Sequence, residues 1–408
     1  MRTLIADDLP TSCIEELRAS GFDVAFEPKA TAEDLPGRIG DAAILVVRST
    51  KVTRATIEAG PRLALIVRAG AGYDTIDVAA ASERGIFVSN CPGKNSVAVA
   101  ELAMGLILAL DRRVSDATAD LRAGRWNKKE YSQASGLKGR TLGLAGLGRI
   151  GGEVARRARA FDMRVVAWSI PFDEELARAV GVERCASLVE LVEQADAVSV
   201  HLPQTVETRR LFNADVFARM KPGAIFVNTS RGGIVDEAAL AAAMRDRGLR
   251  VGLDVFDAEP AGGTAEFKPA IASAGIFVGT HHIGASTEQA QSAIAAETVR
   301  ICREFQHTGR VPNVVNVEEH APAEYQLVVR HYDKVGVLAS VLGILRNHGS
   351  NVEDMSNTIF QGAKTAVATI RLTHAPRPEA VDEIAALTGS VIAVLGKSLA
   401  DSAGAIRG

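Results

Sequence analysis

The chain has 408 residues, 47% of them hydrophobic and 23% charged, with 46 Lys and Arg set against 49 Asp and Glu. That much apolar content excludes a disordered chain, and the length suits about two to four domains. A formal charge of −3 excludes the strongly basic surface that phosphate-backbone binding needs, so no nucleic-acid partner is expected.

The apolar stretch 102–110 is far shorter than the ~20 residues that cross a bilayer, and residues 1–8 carry only four apolar positions before two acids. These features predict a soluble, cytoplasmic protein with no membrane partner. The four cysteines, at 13, 91, 185 and 302, lie at no metal-clip spacing, and no His-x-x-x-His pair occurs. No metal is expected.

The first elements are short apolar runs at 4–6, 43–47 (AILVV), 65–69 (LIVRA) and 86–89, separated by helical patterns such as 12–20 and 53–59. Strand and helix alternating at this spacing predict a parallel α/β sheet. A long amphipathic helix is expected over 96–120, with Asn95 and Ser96 able to cap it. A second α/β series starts at Thr141, with strands TLGLA (141–145), RVVAWS (164–169), AVSVHL (197–202), AIFVNTS (224–230), LRVGLDVF (249–256) and GIFVGT (275–280). Beyond Pro312 a linker at 318–323 leads to strand 325–330, helix 335–347, strands 351–360 and 365–372, helix 378–387 and strand 391–396. That β-α-β-β-α-β order is the ferredoxin-like unit. The fold expected is α/β, with two Rossmann-like parallel-sheet domains and a small ferredoxin-like domain.

Gly146, Gly148 and Gly151 form a G-x-G-x-x-G directly after the strand 141–145 and before an amphipathic stretch. The first permits the tight turn, the second lets backbone approach a pyrophosphate, and the third lets helix pack on strand. The helix start then offers free N–H groups to phosphates, and Arg149 adds a cation. NAD is the expected cofactor. The next strand ends at Ser169, where an acid that binds the ribose hydroxyls is usual, and Asp173 is the nearest acid. Serine lacks the charge that repels a 2′-phosphate, so tolerance of NADP is a live hypothesis.

Three later strand ends carry chemistry. Arg231 follows one, Glu259 lies on the next loop, and His282 on the one after. In open α/β sheets ligands bind beyond the carboxyl ends of the strands, so the three could share one cleft. An arginine there can grip a carboxylate with its planar fork. A histidine can take a hydroxyl proton as hydride leaves the same carbon, and a glutamate can hold the ring's tautomer.

The motifs Gly146–Gly151, NTSRGGIVDE, LDVFDAEP and HHIGAST resemble those of the D-isomer-specific 2-hydroxyacid dehydrogenases, and the resemblance runs almost the whole length. It implies hydride transfer between NAD and C2 of a D-2-hydroxy acid, 3-phosphoglycerate foremost. The alternatives are reduction of glyoxylate or hydroxypyruvate, or a non-catalytic NADH-sensing, co-repressor-like role. By the same resemblance Arg231 binds substrate, His282 is the acid/base and Glu259 its partner. Arg149 and Ile150 contact the pyrophosphate. Thr229, Ser230 and Asp254 lie on the nicotinamide side, Gly284 and Ala285 close over the cofactor, and Cys91 and Leu202 line it. Arg48 and Ser49, with Gly70, Ala71 and Gly72, form the substrate side, where backbone N–H groups would hold the carboxylate and Arg48 an anionic tail. The implied domains are a substrate domain, 1–95 completed by 283–312, and a dinucleotide-binding domain, 96–282. A homodimer or homotetramer is implied, with 121–129, including Trp126, in a symmetric contact.

The C-terminal part, 323–400, is similar to ACT domains, with Asp333-Lys-Val-Gly336-Val-Leu338 in place of D-x-P-G-V-L. This implies an L-serine effector at His331, Asp333 and Asn351. The chain also departs from the family at His281, where proline is usual. Neighbouring side chains in an extended segment point opposite ways, so only His282 is expected to serve the proton.

Overall fold

The computed structural model describes residues 1–260, 264–318, 323–387 and 390–397, in two units, Met1–Asn316 and Val317–Gly408. Of the expected linker, residues 319–322 lie outside the described residues, as do 398–400 at the end of the expected small domain.

The first unit holds two parallel sheets. Strands β1 (Arg2–Ile5), β2 (Asp23–Phe26), β3 (Ile44–Val47), β4 (Leu65–Arg68) and β5 (Phe87–Asn90) form the first, in the order β2-β1-β3-β4-β5. All four residues of β3 are buried, which is why its sequence is an unbroken apolar run. The edge strand β2, DVAF, is only half covered, and its weak pattern gave no strand signal. The long helix Glu288–Thr308 returns to this sheet. Its Ile294, Ala295, Val299, Ile301 and Cys302 share a core with Ile5, Leu17, Val46 and Val67.

The second sheet contains β6 (Thr141–Ala145), β7 (Arg164–Trp168), β8 (Glu183–Arg184), β9 (Ala197–Val200), β10 (Ile225–Asn228), β11 (Arg250–Leu253) and β12 (Phe277–Gly279). Its order is β12-β11-β10-β9-β6-β7-β8, so the chain reverses direction of travel between β6 and β9. That switch point opens a crevice beyond the strand ends, at the glycine loop that follows β6.

The single helix expected over 96–120 is two, Ser96–Arg112 and Val114–Arg122, broken at Arg113 in the left-handed region (φ 50°). Arg113 donates to Asp116 at 3.0 Å and to Glu130, and its guanidinium sits 5.1 Å over the Tyr131 ring. These partners offset the cost of the strained backbone. Asn95 makes no side-chain capping bond. The helix start is closed by Ser96 N–H donating to the Gly93 carbonyl and Val99 N–H to the Asn95 carbonyl.

In the second unit β13 (Tyr325–Tyr332), β14 (Val352–Ile359), β15 (Thr365–Leu372) and β16 (Ser390–Lys397) form an antiparallel sheet ordered β14-β15-β13-β16. Helices Val337–Asn347 and Pro378–Ala385 supply Val341, Leu345 and Ile384 to its core. The first of these starts two residues later than the sequence suggested, after Gly336 at φ 90°.

Glu297 fastens the returning helix. Its side chain is 8% exposed, and its Oε1 accepts from Arg300 Nη2 and Asn313 Nδ2, each at 2.7 Å. Lys94 Nζ lies 3.4 Å from Oε2, and Asn313 Nδ2 also donates to the carbonyl of Asn90 at the end of β5. The Arg300 hydrogen bond, opposed by burial and helped by Asn313 and Lys94, holds the Glu297 carboxyl at about 2 instead of 4.5. A folded value below the unfolded one stabilises the protein above the unfolded value, and that stabilisation is lost as pH falls through the folded one. Thermal unfolding followed from pH 7 to pH 2 should therefore show a fall in Tm between about pH 5 and about pH 2 that is shallower in Glu297→Gln. Equal acid limbs in the two proteins would contradict this role.

Candidate active site

The end of β10 is folded by Asn228. Its Oδ1 accepts from Ser230 N–H at 3.0 Å and Ser230 Oγ at 2.7 Å, and its Nδ2 donates to the Arg231 carbonyl at 2.9 Å. A Cβ on Gly232 would stand 2.0 Å from the Phe256 carbonyl carbon, so glycine lets this turn lie directly on the loop that bears Glu259. Arg231 Nη1 donates to the Ser230 carbonyl at 2.8 Å. Its other edge reaches Asp74, with Nη2 at 2.9 Å from Oδ1 and Nε at 3.3 Å from both oxygens. Burial pushes the Asp74 carboxyl up, but the hydrogen bond and charge of Arg231 outweigh it and hold the group below its usual range. A Cβ on Gly72 would lie 1.8 Å from Arg231 Nη2, so glycine at 72 makes room for the guanidinium.

Glu259 Oε1 accepts from the Phe256 N–H at 2.9 Å, and Oε2 accepts from His282 Nδ1 at 2.7 Å. Burial raises the Glu259 carboxyl. The His282 ring, the Phe256 amide and the Arg231 charge together bring it below its ordinary value. The ionised carboxylate accepts a hydrogen bond from Nδ1–H, which leaves Nε2 as the basic nitrogen of the ring.

His282 itself sits in the left-handed region at φ 53°. Asp254, 1% exposed, is what holds it there. Its carbonyl accepts from His282 N–H at 2.8 Å. Its Oδ1 accepts from Thr280 Oγ1 at 2.6 Å and Ile283 N–H at 2.8 Å, and its Oδ2 from Gly284 N–H at 2.9 Å. Its carboxylate thus braces the 280–284 loop.

Around the glycine loop the fit to a dinucleotide is good. Gly146 has φ 104°, and a Cβ there would stand 2.5 Å from the His201 carbonyl oxygen. A Cβ on Gly151 would stand 2.3 Å from the Gly146 carbonyl oxygen, while one on Gly148 would meet nothing within 4 Å. The open side at Gly148 is where a pyrophosphate would lie, before the helix Arg149–Ala160. Arg149 runs alongside Gly93, Ile150 packs on the core beneath the helix, and Leu202 packs beside Gly146. Among the described residues Thr229 Oγ1 is buried without a partner, a donor that a cofactor can use. Ser169 is half-buried at the end of β7, and Ala285 is half-buried beside the buried Gly284. Asp173 caps the helix Glu174–Val180, accepting from Leu176 N–H at 2.8 Å, and so is committed away from a ribose.

Three expectations need correction. Cys91 does not present its side chain to the crevice. It is fully buried, with Sγ 3.6 Å from Thr298 Oγ1, and burial raises its thiol. The amides of Arg48 and Ser49 are not donors for a substrate carboxylate, because both point at Asp7 Oδ2, at 2.6 and 3.1 Å. His331 is not open to an effector. It is buried in the sheet, with Nδ1 donating to the Tyr332 carbonyl at 2.8 Å and Nε2 3.1 Å from Asn357 Oδ1, whereas Asp333 and Asn351 are exposed. Of the Gly70–Gly72 segment, Ala71 offers its carbonyl to Asn90 Nδ2 at 2.6 Å, and Gly70 admits Arg68, whose Nη1 would lie 1.5 Å from a Cβ.

Arg68 was not singled out in the sequence. Burial pushes its guanidinium down to about 10, the charges of Arg231 and Arg48 push the same way, and Asp74 opposes them. It stays cationic at neutral pH, and its Nε is buried without a partner among the described residues. The available signal was an arginine closing the otherwise apolar strand β4 at its carboxyl end.

Residues 104–284 match the family model described as D-isomer specific 2-hydroxyacid dehydrogenase, NAD binding domain. The D-3-phosphoglycerate dehydrogenase of Methanocaldococcus jannaschii is 41% identical over 324 residues, 78% of this chain and 60% of that protein. The hydroxypyruvate reductase of Thermotoga maritima is 45% identical over 269 residues, 65% of this chain and 86% of that one. A solved structure from Thermus thermophilus superposes with a TM-score of 0.70 at 35% identity, covering 77% of this chain and 100% of the other. The chain belongs to the D-isomer specific 2-hydroxyacid dehydrogenase family. It spans 60% and 64% of the length of the two archaeal phosphoglycerate dehydrogenases it resembles.

Asparagine can keep a hydrogen bond but not take a proton. Purified His282→Asn should lose at least ~100-fold in kcat, while His281→Asn, whose neighbour alone meets Glu259, should stay within about twofold of the parent. Comparable losses in steady-state turnover for both variants would contradict the assignment.

Proposed function

We propose that the protein oxidises 3-phosphoglycerate to 3-phosphohydroxypyruvate with NAD, the first step of L-serine biosynthesis, as a cytoplasmic enzyme. The observation that carries this reading is the charge of the cleft. Arg48, Arg68 and Arg231 bring three cations to one region, where Asp74 pairs with Arg231 and Glu259 also feels the Arg231 charge, so positive charge is in excess. A substrate with a carboxylate at one end and a phosphate at the other matches that excess.

The glycine loop, Arg149, Thr229 and Ser230 would hold NAD, which supplies the hydride acceptor. Arg231 is freed from Asp74 by the incoming carboxylate, grips it through the same fork, and polarises the oxygen on C2. His282 Nε2 accepts the C2 hydroxyl proton as the C2–H bond breaks, and returns it in the reverse direction. Glu259 keeps the proton on Nδ1 and stabilises the imidazolium that forms. Arg48 and Arg68 take the phosphate.

In this reading the substrate domain is 1–95 with 283–312, the dinucleotide domain is 96–282, and the ACT-like part, 323–400, is regulatory, with L-serine its first candidate effector. Assembly as a homodimer or homotetramer would use 121–129, where Trp126 is 80% exposed. The second reading, a hydroxypyruvate or glyoxylate reductase, is favoured by the 45% identity to the Thermotoga protein.

A spectrophotometric panel separates them. With NAD, kcat/KM should be greatest for 3-phosphoglycerate, by about 100-fold over D-glycerate and 2-hydroxyglutarate. Faster turnover of unphosphorylated acids would favour the second reading. In the same panel NAD should be preferred to NADP, though by less than an acid at position 169 would give, and a clear NADP preference would overturn the cofactor.

A further inference from the structure

Asp7 follows β1 and belongs to none of the groups described above as touching substrate or cofactor. Its Oδ2 accepts three successive backbone N–H groups, from Arg48 at 2.6 Å, Ser49 at 3.1 Å and Thr50 at 3.0 Å. Three amides converging on one point make a concave nest of the kind that binds anions. Here the chain fills it with its own carboxylate.

The sheet brings the two segments together. β1 pairs with β3 in the register Ile5↔Val46, and Ala6 N–H donates to the Val46 carbonyl at 3.0 Å, so Asp7 emerges beside Arg48. Thr50 Oγ1 adds contacts to the carbonyls of Ala6 at 3.3 Å and Ala30 at 3.4 Å. The backbone that launches Arg48 is thereby fixed by its amides, which leaves the guanidinium to project from a rigid base. Among the described residues that guanidinium has no ion-pair partner, in contrast to Arg231.

We propose that Asp7 is a positioning residue: by gathering the 48–50 amides it aims Arg48 at the second anionic group of the substrate, and so sets the preference for phosphorylated over unphosphorylated 2-hydroxy acids. This rests on the reading of the cleft given above. The reacting carbon is served from β10, β11 and β12, the strands that lead to Arg231, Glu259 and His282, while Asp7 acts from the other sheet. Loss of Asp7 leaves three amides without their acceptor and lets the loop drift. A group misplaced by an ångström costs the interaction it was meant to make, and only a substrate that uses Arg48 feels the loss.

The test measures kcat/KM for 3-phosphoglycerate and D-glycerate with NAD in the full-length protein, its Asp7→Ala and Asp7→Asn variants, and Arg48→Ala with and without Asp7→Ala. Asp7→Ala should lose about tenfold or more on 3-phosphoglycerate, chiefly in KM, and about twofold or less on D-glycerate. Asp7→Asn, whose amide oxygen can still accept, should fall between, and it carries the comparison if the alanine variant does not fold. In Arg48→Ala, Asp7→Ala should change the ratio no further, because the two residues act as one unit. Equal losses on both substrates, or an additive loss in the double variant, would overturn the role of Asp7 alone. A parent protein with no preference for 3-phosphoglycerate would instead remove the reading on which it rests.

Discussion

A neutral imidazole offers a lone pair from only one of its nitrogens, and in this site a carboxylate decides which. Glu259 is oriented by the Phe256 amide and meets His282 Nδ1 at 2.7 Å, so the basic nitrogen is Nε2. Asp254 and Gly232 support that arrangement. Asp254 spends its carbonyl and both carboxylate oxygens on the 280–284 loop and keeps His282 in a left-handed conformation that a non-glycine residue adopts only at a cost. Gly232 lets the arginine turn lie on the Phe256–Asp257 backbone. The acid, the base and the guanidinium are thus positioned by one packed cluster of strand ends.

The opposite wall is a matter of charge. Arg231 rests against Asp74 through a close approach that Gly72 permits, while Arg68 is half-buried nearby, its Nε buried and unpaired among the described residues. Half-buried cations close to one another repel, and an anion beside them offsets the cost. Asp74 supplies that anion to Arg231 within the chain itself.

Much of this was readable from the sequence because strands buried on both faces are written as continuous apolar runs, as in ILVV, AVSV and IFVN. Such runs locate strand ends, and the topology then puts Arg231, Glu259 and His282 on one edge. What escaped was decided by distant partners. The edge strand β2 has little to bury. The break at Arg113 depends on Asp116, Glu130 and Tyr131, which the local helical pattern does not reveal. Asp7 reads as an ordinary loop acid, because its partners are backbone amides some forty residues away and amides leave no mark in a sequence. Cys91 lies just past β5, where a cofactor contact was expected, yet its side chain meets Thr298 of the returning helix.

The most direct measurement is 15N NMR of the histidine-labelled protein, with the His282 resonances assigned by their loss in His282→Asn. At a pH where the ring is neutral, the account predicts a proton on Nδ1 and a pyridine-type Nε2, and Glu259→Gln should weaken that tautomer preference. A ring protonated at Nε2 in the parent protein would contradict it, because Nε2 would then have no lone pair with which to accept a proton.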